Sequence, residues 1–138
     1  MKTFFTKYWS IHNWRSLVLF LLFVLLLIGC AHYGRRIRLG NVEFFYTPVI
    51  SAVEAENFGN HLVKRGLPTD KHIILQLDRV ERVFELRYII LRGMQQDDRF
   101  LERLMVAVST VPKELYPGAK IRVFVTDEDL KTIREMKI

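Results

Sequence analysis

Asp127-Glu128-Asp129 sets three carboxylates in succession, the hard oxygen chemistry that calcium or magnesium needs. The same run has a plainer reading. Thr126 and Asp129 stand in capping-box-like spacing, and carboxylates are favoured where a helix begins. His61 and His72 carry the one side chain that changes charge near neutrality, so each is a candidate acid, base or ligand. Neither has a second His, a Cys or a carboxylate at ligand spacing, and both read as surface histidines. After Gly40 the only serines are Ser51, which suits a helix cap, and Ser109, which precedes Pro112 on a helix. The chain contains no nucleophile elbow, P-loop or dinucleotide fingerprint. The sequence therefore assigns no catalytic, cofactor-binding or metal residue. It leans away from an enzyme and implies no cofactor.

The elements that would position any site can be read from periodicity. Val42 to Tyr46 alternates β-branched and aromatic residues as a strand does, and Thr47-Pro48 ends it. Ser51 with Glu54 forms a capping box, Ala55, Phe58, Gly59 and Leu62 recur at helical spacing, and Gly66 is a stop. His72 to Leu77 and Val83 to Leu91 predict two strands, and the polar stretch Asp78 to Arg82 predicts a hairpin between them. Asp97 and Asp98 open a second helix with a Leu101, Leu104, Met105 and Val108 stripe, which Pro112 must kink or end. Lys120 to Val125 predicts a last strand, and Thr126 a cap on a short closing helix or tail. The fold class is thus α+β. A βαββαβ order implies a ferredoxin-like (split βαβ) sheet with two helices on one face, behind an N-terminal hydrophobic anchor. Phe58 and Leu104 are expected to meet the sheet beside Leu75, Leu86 and Val123.

The opposite sheet face carries Glu43, Phe45, Ile74, Gln76, Val83, Glu85, Arg87, Ile89, Arg122 and Phe124. Aromatics and Arg are the residue types most enriched at binding hot spots, so Phe45, Arg87, Arg122 and Phe124 are the candidate partner-binding residues. The partner is expected to be a protein or a second copy. Nucleic acid is not expected, because the glycine-flanked aromatic signature of RNA-recognition modules is missing and this region has no net charge to attract phosphates.

The charge is instead concentrated at the N-terminus. The 138-residue chain has 21 Lys and Arg against 15 Asp and Glu, a net charge of +6. Lys2, Lys7, Arg15, Arg35, Arg36 and Arg38 lie before Asn41, where there is no acid; removing those six leaves 15 basic against 15 acidic residues. They flank Leu17 to Ile28, an unbroken apolar run of 12 residues. Twelve suits a signal-peptide core, whereas extension through Tyr33 gives 17, or about 25 Å of helix, just enough for a thin bilayer. Tyr8, Trp9, Trp14 and Tyr33 have the amphipathic rings expected at head-group depth. Leu27-Ile28-Gly29-Cys30 resembles a bacterial lipobox, which implies lipid attachment at Cys30. A retained single-pass signal anchor, a lipoprotein and a buried helix all stand as readings. The first two tether the chain to membrane lipid. Three basic residues on each side give no orientation by the positive-inside rule, and the short tail before a lone apolar run favours a domain outside the cytoplasm. Residues 1–40 read as tail, anchor or signal, and short linker (Gly34 to Gly40), and residues 41–138 as one α/β domain.

Glu43 to Thr47 (EFFYT), Glu54-Ala55, Gly59, Leu62-Val63-Lys64, Gly118-Ala119 and Asp127-Glu128-Asp129-Leu130-Lys131-Thr132 resemble an uncharacterised bacterial membrane-tethered family. It has a tyrosine-rich first strand and a D-x-D-L-K-T tail; Pro48 and Val49 depart from its polar first turn. The resemblance implies fold and tethering and no known activity. The expected function is a membrane-tethered, non-enzymatic interaction or accessory domain, such as a subunit of a membrane complex. The alternatives are an extracytoplasmic ligand-sensing domain, which requires a concave pocket, and a small hydrolase, which requires convergent polar groups.

Overall fold

A computed structural model of the chain describes residues 14–24 and 33–138. Residues 14–24 are helical. Trp14 and every residue from Leu17 to Phe23 expose large apolar side chains, each at least 42% accessible. Among the described residues no helix is long and apolar enough to cross a membrane. The lipobox, Cys30, Tyr8 and Trp9 lie outside the described residues.

The chain divides into Met1–His32 and Tyr33–Ile138. The second unit is α+β, with one six-stranded mixed sheet. Its elements in chain order are β1 (Arg35–Leu39), β2 (Val42–Tyr46), α1 (Ala52–Lys64), β3 (Ile73–Val80), β4 (Val83–Ile90), α2 (Asp98–Ser109), α3 (Val111–Glu114), β5 (Lys120–Asp127) and β6 (Thr132–Met136).

Both long helices begin and end where their local chemistry requires. Ser51 accepts from the Glu54 amide and the Glu54 carboxylate reaches back to the Ser51 amide, completing the capping box. At the other end the Leu67 amide donates to Leu62 O and the Gly66 amide to Val63 O, the Schellman pattern, with Gly66 at φ +98°. Buried Leu67 is the apolar closure of that motif. Asp97 caps α2 by accepting from the Phe100 amide, and α2 stops at Ser109, ahead of Pro112 in α3.

Strand order follows chain order, β1-β2-β3-β4-β5-β6. β2 pairs with β3 in parallel and α1 is the crossover between them; β4 pairs with β5 in parallel across α2 and α3. The other three pairings are antiparallel. This corrects the ferredoxin-like expectation. In a split βαβ fold another strand separates the two parallel ones, whereas here each βαβ unit closes on itself. Two further expectations change with it. Arg35–Leu39, expected as linker, pairs along β2, and Thr132–Met136, expected as helix or tail, pairs along β5. The β3–β4 hairpin forms as expected, with Glu81 at φ 57° in its turn.

Alternate residues of the strands face the helices. Val42, Phe44, Tyr46, Leu75, Leu77, Phe84, Leu86, Tyr88, Val123 and Val125 share one buried cluster with Phe58, Leu62, Phe100, Leu104 and Val108. Phe58 lies 6.4 Å from Phe44 and 5.6 Å from Phe84 between ring centroids. Phe58 and Leu104 are both fully buried in this core, as their spacing predicts.

Candidate functional site

Residues that alternate with the core set lie on the other sheet face, and register aligns the candidate side chains in one row. Arg36 stands opposite Phe45, Phe45 opposite Gln76, Gln76 opposite Arg87, Arg87 opposite Phe124, and Phe124 opposite Glu135. Phe45, Arg87 and Phe124 therefore belong to a single cross-strand ladder, and Arg122 stands two residues before Phe124 on β5. A period of two on each strand places them together on this face.

Their surroundings differ. Arg87 is the centre of a polar network. One guanidinium nitrogen donates to Gln76 Oε1 at 2.9 Å and Asp78 Oδ2 at 3.1 Å, and the other donates to Glu85 Oε2 at 2.6 Å. Asp78 and Glu85 face each other across β3 and β4, so two carboxylates share that cation. Asp78 also accepts from Thr47 Oγ1 at 2.6 Å and from the Arg79 amide at 2.8 Å. Burial alone would raise the Asp78 carboxyl, but these hydrogen bonds and the Arg87 charge outweigh it and hold it below the usual carboxylate value. Gln76, 2% exposed, donates its amide to Tyr33 O at 2.9 Å. Arg87 is thus held inside the face by polar groups of β3 and β4.

Arg122 is the exposed counterpart. Its guanidinium lies 4.9 Å over the Phe124 ring and grips Glu135 through Nε at 2.8 Å and Nη2 at 3.1 Å. Hydrogen bonding to Glu135 raises its pKa further, and the reciprocal bond lowers that of Glu135. Phe124 is 8% exposed. Phe45 is half-buried, with the Tyr33 ring edge-on at 5.4 Å. Tyr33 crosses the same face, since its hydroxyl donates to Glu128 O in the β5–β6 turn. Burial, then the charges of Glu128, Asp129 and Asp127, raise its pKa. Thr126, fully buried on β5, has a hydroxyl with no hydrogen-bond partner among the described residues.

The remaining candidates are structural. Asp127 Oδ1 accepts from the amides of Asp129 at 3.0 Å and Lys131 at 2.9 Å, closing the β5–β6 turn rather than a helix start. Glu128 pairs with Arg92 at 3.2 Å. Among the described residues no group of three or more His, Cys, Asp or Glu side chains is arranged to hold a metal ion. His61 bridges the helices, its Nε2 2.8 Å from Thr110 Oγ1. Because that hydroxyl donates to Ala107 O, it accepts from the imidazole, which fixes the proton on Nε2. Burial lowers the His61 pKa, opposed by Glu114 at 3.8 Å. His72 lies 3.5 Å from Glu43. Neither carboxylate is near its histidine in sequence, so spacing could not reveal them. Ser51 is the cap, and Ser109 donates to Val106 O.

Sequence reasoning placed the row but missed what ties it together. Sequence places Tyr33 at head-group depth, Thr47 at the end of a strand and Asp78 in a hairpin turn. The one legible signal was Gln76, a polar residue inside the otherwise apolar Ile73 to Leu77. The residues that resemble the uncharacterised family fall on β2 and just after it, on α1, just before β5, and at the β5–β6 turn. Comparison of the chain with family models, with curated proteins and with solved structures returns no match.

Proposed function

We propose that the chain is a membrane-tethered, non-enzymatic interaction or accessory domain, held at the membrane by its N-terminal apolar segment and lying outside the cytoplasm. One observation carries this reading. From Leu17 to Phe23 the helix exposes seven large apolar side chains in succession, so no side of it is polar. A helix apolar all round is stable only in lipid or inside a protein interior. Basic residues without acids on both sides of the run suit anionic head groups. The test is flotation of the full chain with lipid vesicles, beside Leu19→Arg with Leu22→Arg. Each charge costs about 2.5–3.5 kcal/mol at the centre of a membrane helix. Wild type should float and the variant should stay at the bottom. Equal flotation of the two would remove the apolar segment as the tether.

The working surface we propose is the face bearing Phe45, Arg87, Arg122 and Phe124, with a protein partner or a second copy as its target. The half-exposed Arg122 over Phe124 and the half-buried Phe45 offer the aromatic-plus-Arg chemistry of interface hot spots, and Arg87 shares Glu85 with Arg122. Phe45→Ala with Arg122→Ala should reduce oligomer size or partner capture while leaving the unfolding midpoint near that of wild type. A lowered midpoint with unchanged association would make them fold residues.

A further inference from the structure

We propose that the β1 edge of the sheet docks on anionic lipid head groups, so that the folded unit itself, and not only its tether, meets the membrane. This rests on the tethered reading above.

β1 is an edge strand, paired on one side only, so its outward backbone amides remain open donors. It is also the most basic element of the unit. Arg35, Arg36 and Arg38 are all exposed, and the strand contains no acid and no Lys. Arg36 is paired with Glu43 at 2.6 Å, whereas Arg35 and Arg38 have no acidic partner among the described residues. Guanidinium matters here. Its planar fork fits two phosphate oxygens at once, which an ammonium group cannot do, and it is more weakly hydrated. Phosphate oxygens are the acceptors that anionic phospholipid head groups present.

The rest of the unit makes this edge distinctive. From Asn41 onward basic and acidic residues balance, so the surplus of positive charge falls on β1. The other edge strand, β6, has Arg134 beside Glu135 and adjoins the acidic β5–β6 turn with Asp127, Glu128 and Asp129, so it lacks the acid-free basic run of β1. The β1 edge is therefore the one that an anionic surface attracts most, which orients the sheet. Reach is not limiting. Six residues lie between Ile28, the end of the apolar run, and Arg35, a span of seven Cα steps or at most about 25 Å when fully extended. Screening over roughly 8–10 Å then makes the contact strong only at close approach and weak at high salt.

The full chain placed in lipid discs tests this directly, with discs of phosphatidylcholine alone and discs that also contain phosphatidylglycerol. The thermal unfolding midpoint is read by pulse proteolysis, because a surface that binds the native state raises it. Wild type should unfold at higher temperature in the anionic discs, and high salt should remove the difference. Arg35→Gln with Arg38→Gln should match wild type in neutral discs, since neither side chain has an acidic partner among the described residues, and should show little anionic shift. Arg35→Glu with Arg38→Glu should reverse its sign. Co-elution with equal wild-type midpoints in both discs overturns the lipid contact alone, as does a shift that survives both double substitutions. A chain that elutes apart from both discs overturns the tether and, with it, the contact.

Discussion

Gly59 of α1 and Leu39 of β1 are in contact by virtue of a missing side chain: a Cβ on Gly59 would lie 2.9 Å from Leu39 Cδ1. That approach lets the edge strand, with Leu39 8% exposed, close over the helix. Gly59→Val should therefore cost about 1–3 kcal/mol through overpacking. Gly59→Ala should be close to neutral, because the roughly 1 kcal/mol gained in helix propensity offsets a clash that the tip of Leu39 can partly relieve. Urea unfolding of the two variants checks this; an unaffected Gly59→Val would mean that β1 does not pack there.

Arg87→Leu should destabilise the fold by about 2–4 kcal/mol, less than a fully buried pair because the network is partly solvated. It leaves Asp78 and Glu85 facing each other without their cation. Adding Glu85→Leu should recover part of the loss. Since the Asp78 carboxyl is depressed in the fold, its contribution is present above the ordinary carboxylate pKa, about 4, and is lost as pH falls through the folded value. Thr47→Val should move acid unfolding to higher pH. An acid transition identical to wild type would show that the Thr47 hydrogen bond adds nothing.

His61 titrates with the opposite chemistry and the same direction. Its folded pKa lies below the ordinary 6.5, chiefly through burial, so the unfolded chain takes up a proton first as pH falls. Stability from this residue is complete above about pH 6.5 and declines below it. Comparison of urea midpoints at about pH 7.5 and about pH 5.5 should show a drop that His61→Gln reduces. The same drop in the variant would assign it to other groups.

The parts of this fold that were legible in the sequence are those fixed by local chemistry. The Ser51–Glu54 box, the Gly66 stop and the Asp97 cap are set by residues within one turn of each other, and the four inner strands bury one whole face. β1 and β6 are different. In Arg35–Leu39 the alternation of Arg36-Ile37-Arg38-Leu39 runs for only four residues within a basic stretch, and Thr132–Met136 is largely exposed without alternation, so neither announces a strand. Their pairing with β2 and β5 makes them strands, which is a tertiary effect. Strand order was illegible for the same reason: β-α-β reads identically whether the two strands pair directly or admit another between them. At the candidate site, period two placed Phe45, Arg87, Arg122 and Phe124 on one face. It could not show that Asp78, Glu85 and Gln76 enclose Arg87, because those contacts depend on register across strands.

Membrane retention of the full chain is the most direct measurement of its proposed role. Membranes from cells expressing it are washed at alkaline pH, which strips peripheral proteins, and pellet and supernatant are compared by immunoblot. With Leu17 to Phe23 embedded in lipid, the chain should stay in the pellet and be released only by detergent. Quantitative release into the alkaline supernatant would contradict membrane tethering.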